Sequence, residues 1–159
     1  MKHFNVIIET PKGSAQKYDY DPGSGFFKLK KSLPLGMCFP FDFGFIPQTK
    51  GEDGDPLDAL VISEFKTFPG CRVESRIVGV IQAIQTEDHT NTKNDRFIAI
   101  PVTSQLYKAV QDVKQLPIKL ITQLKDYFIH YNTEEGKQFK VTQISGPVKS
   151  LELIIQAYE

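Results

Sequence analysis

Phe39, Phe41, Phe43 and Phe45 recur at a strict spacing of two. They stand inside residues 32–56, a stretch that also holds Pro34, Gly36, Pro40, Gly44, Pro47, Gly51, Gly54 and Pro56. Proline and glycine at this density break regular pairing and alone would describe a loop. Four alternating phenylalanines cannot be left in water, because each buries a large apolar area. Together the two facts require an irregular segment packed along a core and exclude a disordered linker.

The flanking segments read as β. Phe4–Glu9 is apolar and β-branched and is closed by Pro11 and Gly13. Lys17–Tyr20 and Phe26–Lys31 flank the turn sequence Asp21-Pro-Gly-Ser-Gly25, which predicts a hairpin. Leu57–Ile62, Arg72–Gln82 and Arg96–Val102 are further strands, and the polar run Thr86–Asp95 is expected to be an exposed loop. The period then changes. Leu120, Ile121, Leu124, Tyr127, Phe128 and Tyr131 follow helical spacing, with Pro117 suited to the first turn. Gln138–Ile144 reads as a strand. Gly146-Pro147 opens a terminal helix to about Tyr158, with Val148, Leu151, Ile154 and Ile155 expected to face inward. Strands followed by helices indicate an α+β fold, mainly β: a twisted antiparallel sheet or small barrel flanked by two α-helices. No repeat or linker interrupts it, so residues 1–159 are read as a single domain.

Nineteen basic and nineteen acidic residues cancel, and they balance in each half, ten of each in residues 1–80 and nine of each in 81–159. A nucleic-acid binder needs a basic excess to neutralise phosphates, so no nucleic-acid partner is expected. The N-terminus lacks the apolar run of a signal peptide and no window is long enough to span a bilayer, so the expected location is cytoplasmic, with no membrane partner. Cys38 and Cys71 have neither metal-type nor disulfide-type spacing and read as reduced, partly buried thiols. His3, His89 and His130 lack zinc spacing, no serine lies in a nucleophile elbow, and no Walker-type phosphate loop is present.

The chemistry concentrates between Gly51 and Asp58. Glu52, Asp53, Asp55 and Asp58 place four carboxylates in seven residues, and no Lys or Arg occurs from Gly51 to Phe65. Asp53 and Asp55 face the same way in extended chain. Gly54 lets the backbone turn, Pro56 ends regular pairing, and Asp58 begins an apolar strand where an unpaired charge is costly. Carboxylates this close repel unless a cation lies among them, and oxygen ligands alone select a hard ion, Mg²⁺ or Mn²⁺. An EF-hand loop does not fit, since its sixth position would be Asp58 instead of glycine. On composition alone an acidic surface turn stays open.

Asp53-Gly-Asp-Pro-Leu-Asp-Ala59 resembles the D-x-D-P-hydrophobic-D-small signature of family I soluble inorganic pyrophosphatases. The similarity runs along nearly the whole chain. It includes Val6–Pro11 with Glu9, then Lys17-Tyr18, then Pro40 with Phe43-Gly44-Phe45-Ile46. Pro69-Gly70, Val78-Gly79-Val80, Arg96, His130-Tyr131 and Gly136-Lys137 continue it in order. The resemblance implies an OB-like five-stranded β-barrel with flanking helices. It implies Mg²⁺-dependent hydrolysis of pyrophosphate to two orthophosphates by a metal-activated water, and a homo-oligomer, a hexamer in prokaryotic members. By resemblance, Asp53, Asp55 and Asp58 bind the metal, with Asn94 at the position of a fourth ligand. Asp55 would also take a proton from the attacking water, and Glu9 would belong to the metal and water network. Lys17, Lys31, Arg96, Tyr131 and Lys137 would contact phosphate.

The chain departs from the family pattern at several of these points. Asp19 replaces a glutamate and Lys31 an arginine, Phe39 and Phe43 replace tyrosines, and Arg96 and Asn132 replace lysines. Asn94 replaces an aspartate, and the neighbouring Asp95 could serve only after a one-residue register slip, which turns a side chain to the other face. Glu87 and Asp88 offer themselves as replacements for a further acidic pair. These departures leave two alternatives: a catalytically weakened metal-binding paralogue acting as a regulatory or structural subunit, and a hydrolase of another phosphoanhydride.

Overall fold

The computed structural model describes residues 1–159. In order, the elements are β1 (His3–Thr10), β2 (Gln16–Asp21), β3 (Phe26–Ser32), β4 (Asp42–Ile46), β5 (Leu57–Val61), β6 (Arg72–Glu87), β7 (Thr90–Lys93), β8 (Arg96–Pro101), α1 (Ile118–Glu134), β9 (Gln138–Ser145) and α2 (Pro147–Ala157). Strands β1, β4, β5, β8 and β6 are paired in that order, and β6 pairs back to β1. A ring of five strands therefore closes, so none of the five is left as an open sheet edge. The expected antiparallel pattern has one exception: β5 and β8 run parallel, joined by the long excursion through β6 and β7.

Closure depends on β6, whose 16 residues pair with β1, β8, β9 and β7 in turn. Bulges after Ile77 and after Gln82 bend it. Gly44 lies where β4 passes closest to β1, and a Cβ there would run into the carbonyl of Ile7.

Alternation along the strands separates two cores. Val6, Ile8, Ala59, Val61, Phe97 and Ala99 fill one, capped by Ile154 of α2. The neighbouring Leu60, Ile62, Ile98 and Ile100 face the other, under Leu124, Phe128 and Tyr131 of α1. Phe39, Phe41 and Phe43 belong to this second core, so three rungs of the phenylalanine ladder are buried as expected. Phe45 instead stacks on Tyr20 of the β2–β3 hairpin, ring centroids 5.9 Å apart. That hairpin forms where predicted: Asp21 accepts from Gly23 N (3.0 Å) and from the Ser24 hydroxyl (2.9 Å).

Three expectations need correction. Thr86–Asp95 is not a loop. Its first half extends β6 and its second half forms β7, joined by a two-residue turn at Asp88 and His89, both with positive φ (49° and 63°). Threonines at 86, 90 and 92 favour strand despite the polar composition. In α2, Ile154 is fully buried, but Val148 and Ile155 are 75% and 54% exposed, because only one side of this helix meets the ring. Cys38 is exposed and Cys71 half-buried, and neither is in a disulfide. No helix is long and apolar enough to cross a membrane.

Candidate active site

The parallel register of β5 and β8 sets Asp58 beside Arg96. Both project toward α1, where a cavity of about 350 Å³ opens beside the ring. Arg96 is 5% exposed. Its Nη1 donates to Asp58 Oδ2 at 2.6 Å and to Asn94 Oδ1. Its guanidinium carbon lies 5.1–5.6 Å from the centroids of Phe43, Phe128 and Phe139. An ion pair and three aromatic faces thus offset the cost of removing this charge from water. Phe43 and Phe39 pack together as apolar walls of the cavity.

Asp53, Asp55 and Asp58 line the same cavity as Glu9, Lys17, Tyr131 and Lys137. The Gly51–Asp55 turn brings the first two in: Gly51 N donates to Asp55 O (2.7 Å), and Asp53 Oδ1 accepts from Asp55 N (3.0 Å). The acidic segment is an exposed turn at the cavity rim: Asp53 and Asp55 stay exposed while their side chains line the cavity with Asp58. Burial raises the Asp53 carboxyl, assisted by the Asp55 charge. Burial also raises Asp58, against the pull of Arg96 and Lys17. Glu9, from β1, accepts from Tyr20 N at 2.8 Å, and burial pushes it up to about 7 although Lys17 opposes the shift.

In the same cavity, Lys17 Nζ bonds Asp19 at 2.6 Å and lies over the Phe43 ring. Burial would raise Asp19, but Lys17 and then Lys30 outweigh it and hold the carboxyl below its ordinary value. Tyr131 projects from α1 with its phenol raised by burial. In all, four cations (Lys17, Lys30, Arg96, Lys137) face six carboxylates (Glu9, Asp19, Asp53, Asp55, Asp58, Glu135), a net charge of −2 when all are ionised.

Not every expected residue takes its place. Asn94 lines the cavity, but its side-chain oxygen accepts from Arg96 and its nitrogen donates to Gln85 Oε1 at 2.6 Å. Its acceptor is committed to Arg96, which weighs against the fourth-ligand position. Asp95 points away: it accepts from Ala83 N (3.1 Å) and lines a separate depression with Phe97 and Leu153. The one-residue slip does not occur. Glu87 lies 3.7 Å from Lys137 and, like Asp88, is outside the cavity wall. Lys31 is also off the wall, because its ammonium is in ion-pair contact with Glu135.

Lys30 was hidden in a basic run that reads as a solvated edge. A bulge between the pairs Lys17–Lys31 and Tyr18–Leu29 turns it to the cavity, 3.1 Å from Asp19. Glu135 carries no sequence signal, sitting in an ordinary polar helix end.

The arrangement fits a hard divalent cation in its donor chemistry, since every acceptor on this wall is an oxygen. Burial raises Glu9, Asp53 and Asp58, and a cation among them would favour their charged forms. The side chains are not gathered into a ready-made metal cluster, as Asp58 is turned to Arg96 and Asp53 to the backbone.

The family model described as inorganic pyrophosphatase matches residues 6–159. The inorganic pyrophosphatase of Thermus thermophilus is 37% identical over 142 residues, covering 89% of this chain and 79% of that protein. Soluble inorganic pyrophosphatase 5 of Arabidopsis thaliana is 33% identical over 151 residues, 95% of this chain and 68% of the relative. The crystal structure of the Thermus thermophilus enzyme superposes with a TM-score of 0.88 at 33% identity, covering 98% of this chain and 88% of that one. That of Coxiella burnetii gives 0.89 at 29%, covering 98% and 93%. A match that runs from within β1 through the rest of the ring, both helices and the whole acidic segment means that this chain belongs to the inorganic pyrophosphatase family.

Proposed function

We propose that this chain hydrolyses inorganic pyrophosphate to two orthophosphates with the help of Mg²⁺, or Mn²⁺ in its place. The observation that carries this reading is the charge of the cavity. Six carboxylates outnumber four cations on the wall, which favours a polyanionic substrate in company with divalent cations. Asp53, Asp55 and Asp58 would hold the cation, which when bound neutralises phosphate oxygens and acidifies water.

The chain's own groups supply the rest. Lys17, Lys30 and Lys137 offer ammonium donors in the cavity that the aspartates line, and Tyr131 offers a phenolic hydrogen bond. Arg96, tied to Asp58 and Asn94, holds the aspartate in place and sets the field across the cavity floor. Asp55 would accept the proton of the attacking water. Glu9 exchanges its proton near neutral pH and is suited to the surrounding hydrogen-bond network.

We read residues 1–159 as one domain acting in the cytoplasm and assembling as a homo-oligomer, a hexamer by family resemblance. The exposed Val148 and Ile155 of α2 support a contact between copies. A second reading, a weakened metal-binding paralogue, is favoured by one detail. Arg96 neutralises Asp58, and Asn94 brings no charge, so the metal side carries less negative charge than three free aspartates.

Phosphate release from pyrophosphate in saturating Mg²⁺, run beside Asp55→Asn, tests the proposal. Robust release that the substitution abolishes is expected. No release, with Mg²⁺ still raising the melting temperature, would select the paralogue, and release only from nucleotides or polyphosphate would replace the substrate.

A further inference from the structure

Glu135 breaks a local rule. It is the C-cap of α1, where the helix dipole is negative and a carboxylate is unfavourable. The chain reverses immediately afterwards: Gly136 takes φ 76°, its N–H donates to Thr133 O (3.0 Å), and Lys137 N donates to Asn132 O (2.9 Å). This tight reversal fixes Glu135 and Lys137 on the cavity wall together.

The two carboxylate oxygens of Glu135 have different partners. Oε1 is in ion-pair contact with the ammonium of Lys31, and Oε2 lies 3.5 Å from that of Lys137. Lys31 also stands over the Tyr131 ring, 4.5 Å from its centroid. Four lysines gather here around two carboxylates: Lys17 and Lys30 pair with Asp19, and Lys31 and Lys137 with Glu135. Glu135 lines the cavity, whereas Lys31 behind it does not.

Two oxygens of one planar anion bridging two ammonium groups is the contact a phosphate group makes with a lysine pair. We propose that Glu135 is an internal competitor for phosphate: it occupies the anion subsite formed by Lys31 and Lys137, and an incoming phosphoryl group binds there by displacing it. Lys31 becomes available only after that exchange. The subsite is thereby held assembled and charge-balanced between turnovers, and phosphate affinity is set below what two free lysines would give. Release of the orthophosphate product is assisted, because Glu135 returns as it leaves. This deepens the proposed function by naming a residue that tunes affinity at the same site, and it rests on that reading for the identity of the anion.

The test is binding of inorganic phosphate, measured by calorimetry on the full chain in saturating Mg²⁺, with steady-state KM for pyrophosphate alongside. Glu135→Gln should tighten phosphate binding by about tenfold and lower KM in the same direction. Glu87→Gln is the control. Glu87 also lies near Lys137, at 3.7 Å, but is outside the cavity, so it reports the general effect of removing one negative charge. Equal tightening in the two variants would overturn direct competition. Unchanged or weaker phosphate binding in Glu135→Gln would overturn it too, leaving Glu135 as a residue that merely orients the lysines. Lys31→Met should abolish the gain when combined with Glu135→Gln, and persistence of the gain would show that Lys31 is no part of the subsite. Because binding is read without turnover, the two proposals separate. Tightening without pyrophosphate hydrolysis leaves this one standing, and hydrolysis without tightening sinks it alone.

Discussion

Arg96 Nη1 lies 2.6 Å from Asp58 Oδ2, across the one parallel strand pair of the ring. The pairing is a consequence of topology. Residues 38 apart in the chain become lateral neighbours because β5 and β8 run side by side in the same direction. Their register also keeps Asp95 on the far face, so the fold selects which acidic residue sees the cavity.

Asp58→Ala removes the main partner of a buried guanidinium. Breaking a fully buried pair costs about 3–5 kcal/mol, and the quarter exposure of the Asp58 side chain reduces this to about 2–3 kcal/mol. Urea denaturation should show that loss. The double substitution Asp58→Leu with Arg96→Met should be less destabilised than the sum of the two single changes, since no unpaired charge remains. Strict additivity would mean that the pair is not energetically coupled.

Asp42 is the corresponding anchor away from the cavity. It is buried and accepts from Lys12 N (2.8 Å), Thr67 N (2.9 Å) and the Thr67 hydroxyl (2.6 Å), joining two loops to the start of β4. Asp42→Ala leaves both backbone donors without this acceptor. It should cost about 2–4 kcal/mol and speed amide exchange at Lys12 and Thr67. Normal exchange at those two amides would remove the assigned role.

Glu9 gives a pH dependence of defined sign. Its ordinary value is 4.5 and burial raises it to about 7, so between these limits the folded chain holds a proton that the unfolded chain has lost. Stability at this site is therefore full below pH 4.5 and falls as pH rises through 7. The fall amounts to roughly 3 kcal/mol at most. Glu9→Gln keeps an acceptor for Tyr20 N and cannot ionise. Metal-free denaturation at pH 5 and pH 8 should show the variant gaining on the native chain at pH 8. Parallel pH profiles would show that Glu9 is not buried in the way described.

A cation drawn to the aspartates stabilises only the folded chain. Mg²⁺ at about a hundred times its dissociation constant should add about 2.7 kcal/mol. Asp53→Asn and Asp55→Asn should each reduce that gain, and Asn94→Ala should not, because its oxygen is already held by Arg96. Loss of Mg²⁺ stabilisation in Asn94→Ala equal to that in Asp55→Asn would return Asn94 to the ligand set.

How far the sequence could be read depended on the range of each signal. Asp53, Asp55 and Asp58 share one short segment, so their common cavity followed from local spacing and from the motif they resemble. The hairpin at Asp21–Gly25 and the helices opened by Pro117 and Pro147 were legible for the same reason. Lys30 was not, because a bulge on β3 reverses the face that alternation assigns to it. Glu135 was not, because its meaning comes from Lys31, 104 residues away and brought close only by the packing of the β2–β3 hairpin beside the end of α1. The parallel β5–β8 pair has no local signature either. Ring closure through β6 creates it.

The β6–β7 turn supplies a prediction in the stabilising direction. Glu87 and Thr90 are paired, so only Asp88 and His89 turn the chain, and both adopt the left-handed region. That conformation is shared by the two-residue turns that match strand twist, which favour Asn-Gly. A residue with a Cβ costs roughly 1–2 kcal/mol there, and aspartate less than histidine because its short carboxylate bonds locally. Replacing the pair by Asn-Gly relieves His89 most. The greater freedom of glycine in the unfolded chain returns part of the gain, leaving about 1 kcal/mol. In a chain of this size that is a rise of about 2–4 °C in melting temperature. Neither residue lines the cavity, so phosphate release should not change. A lower melting temperature would mean that His89 makes a compensating contact, and a change in turnover would mean that the hairpin reaches the substrate.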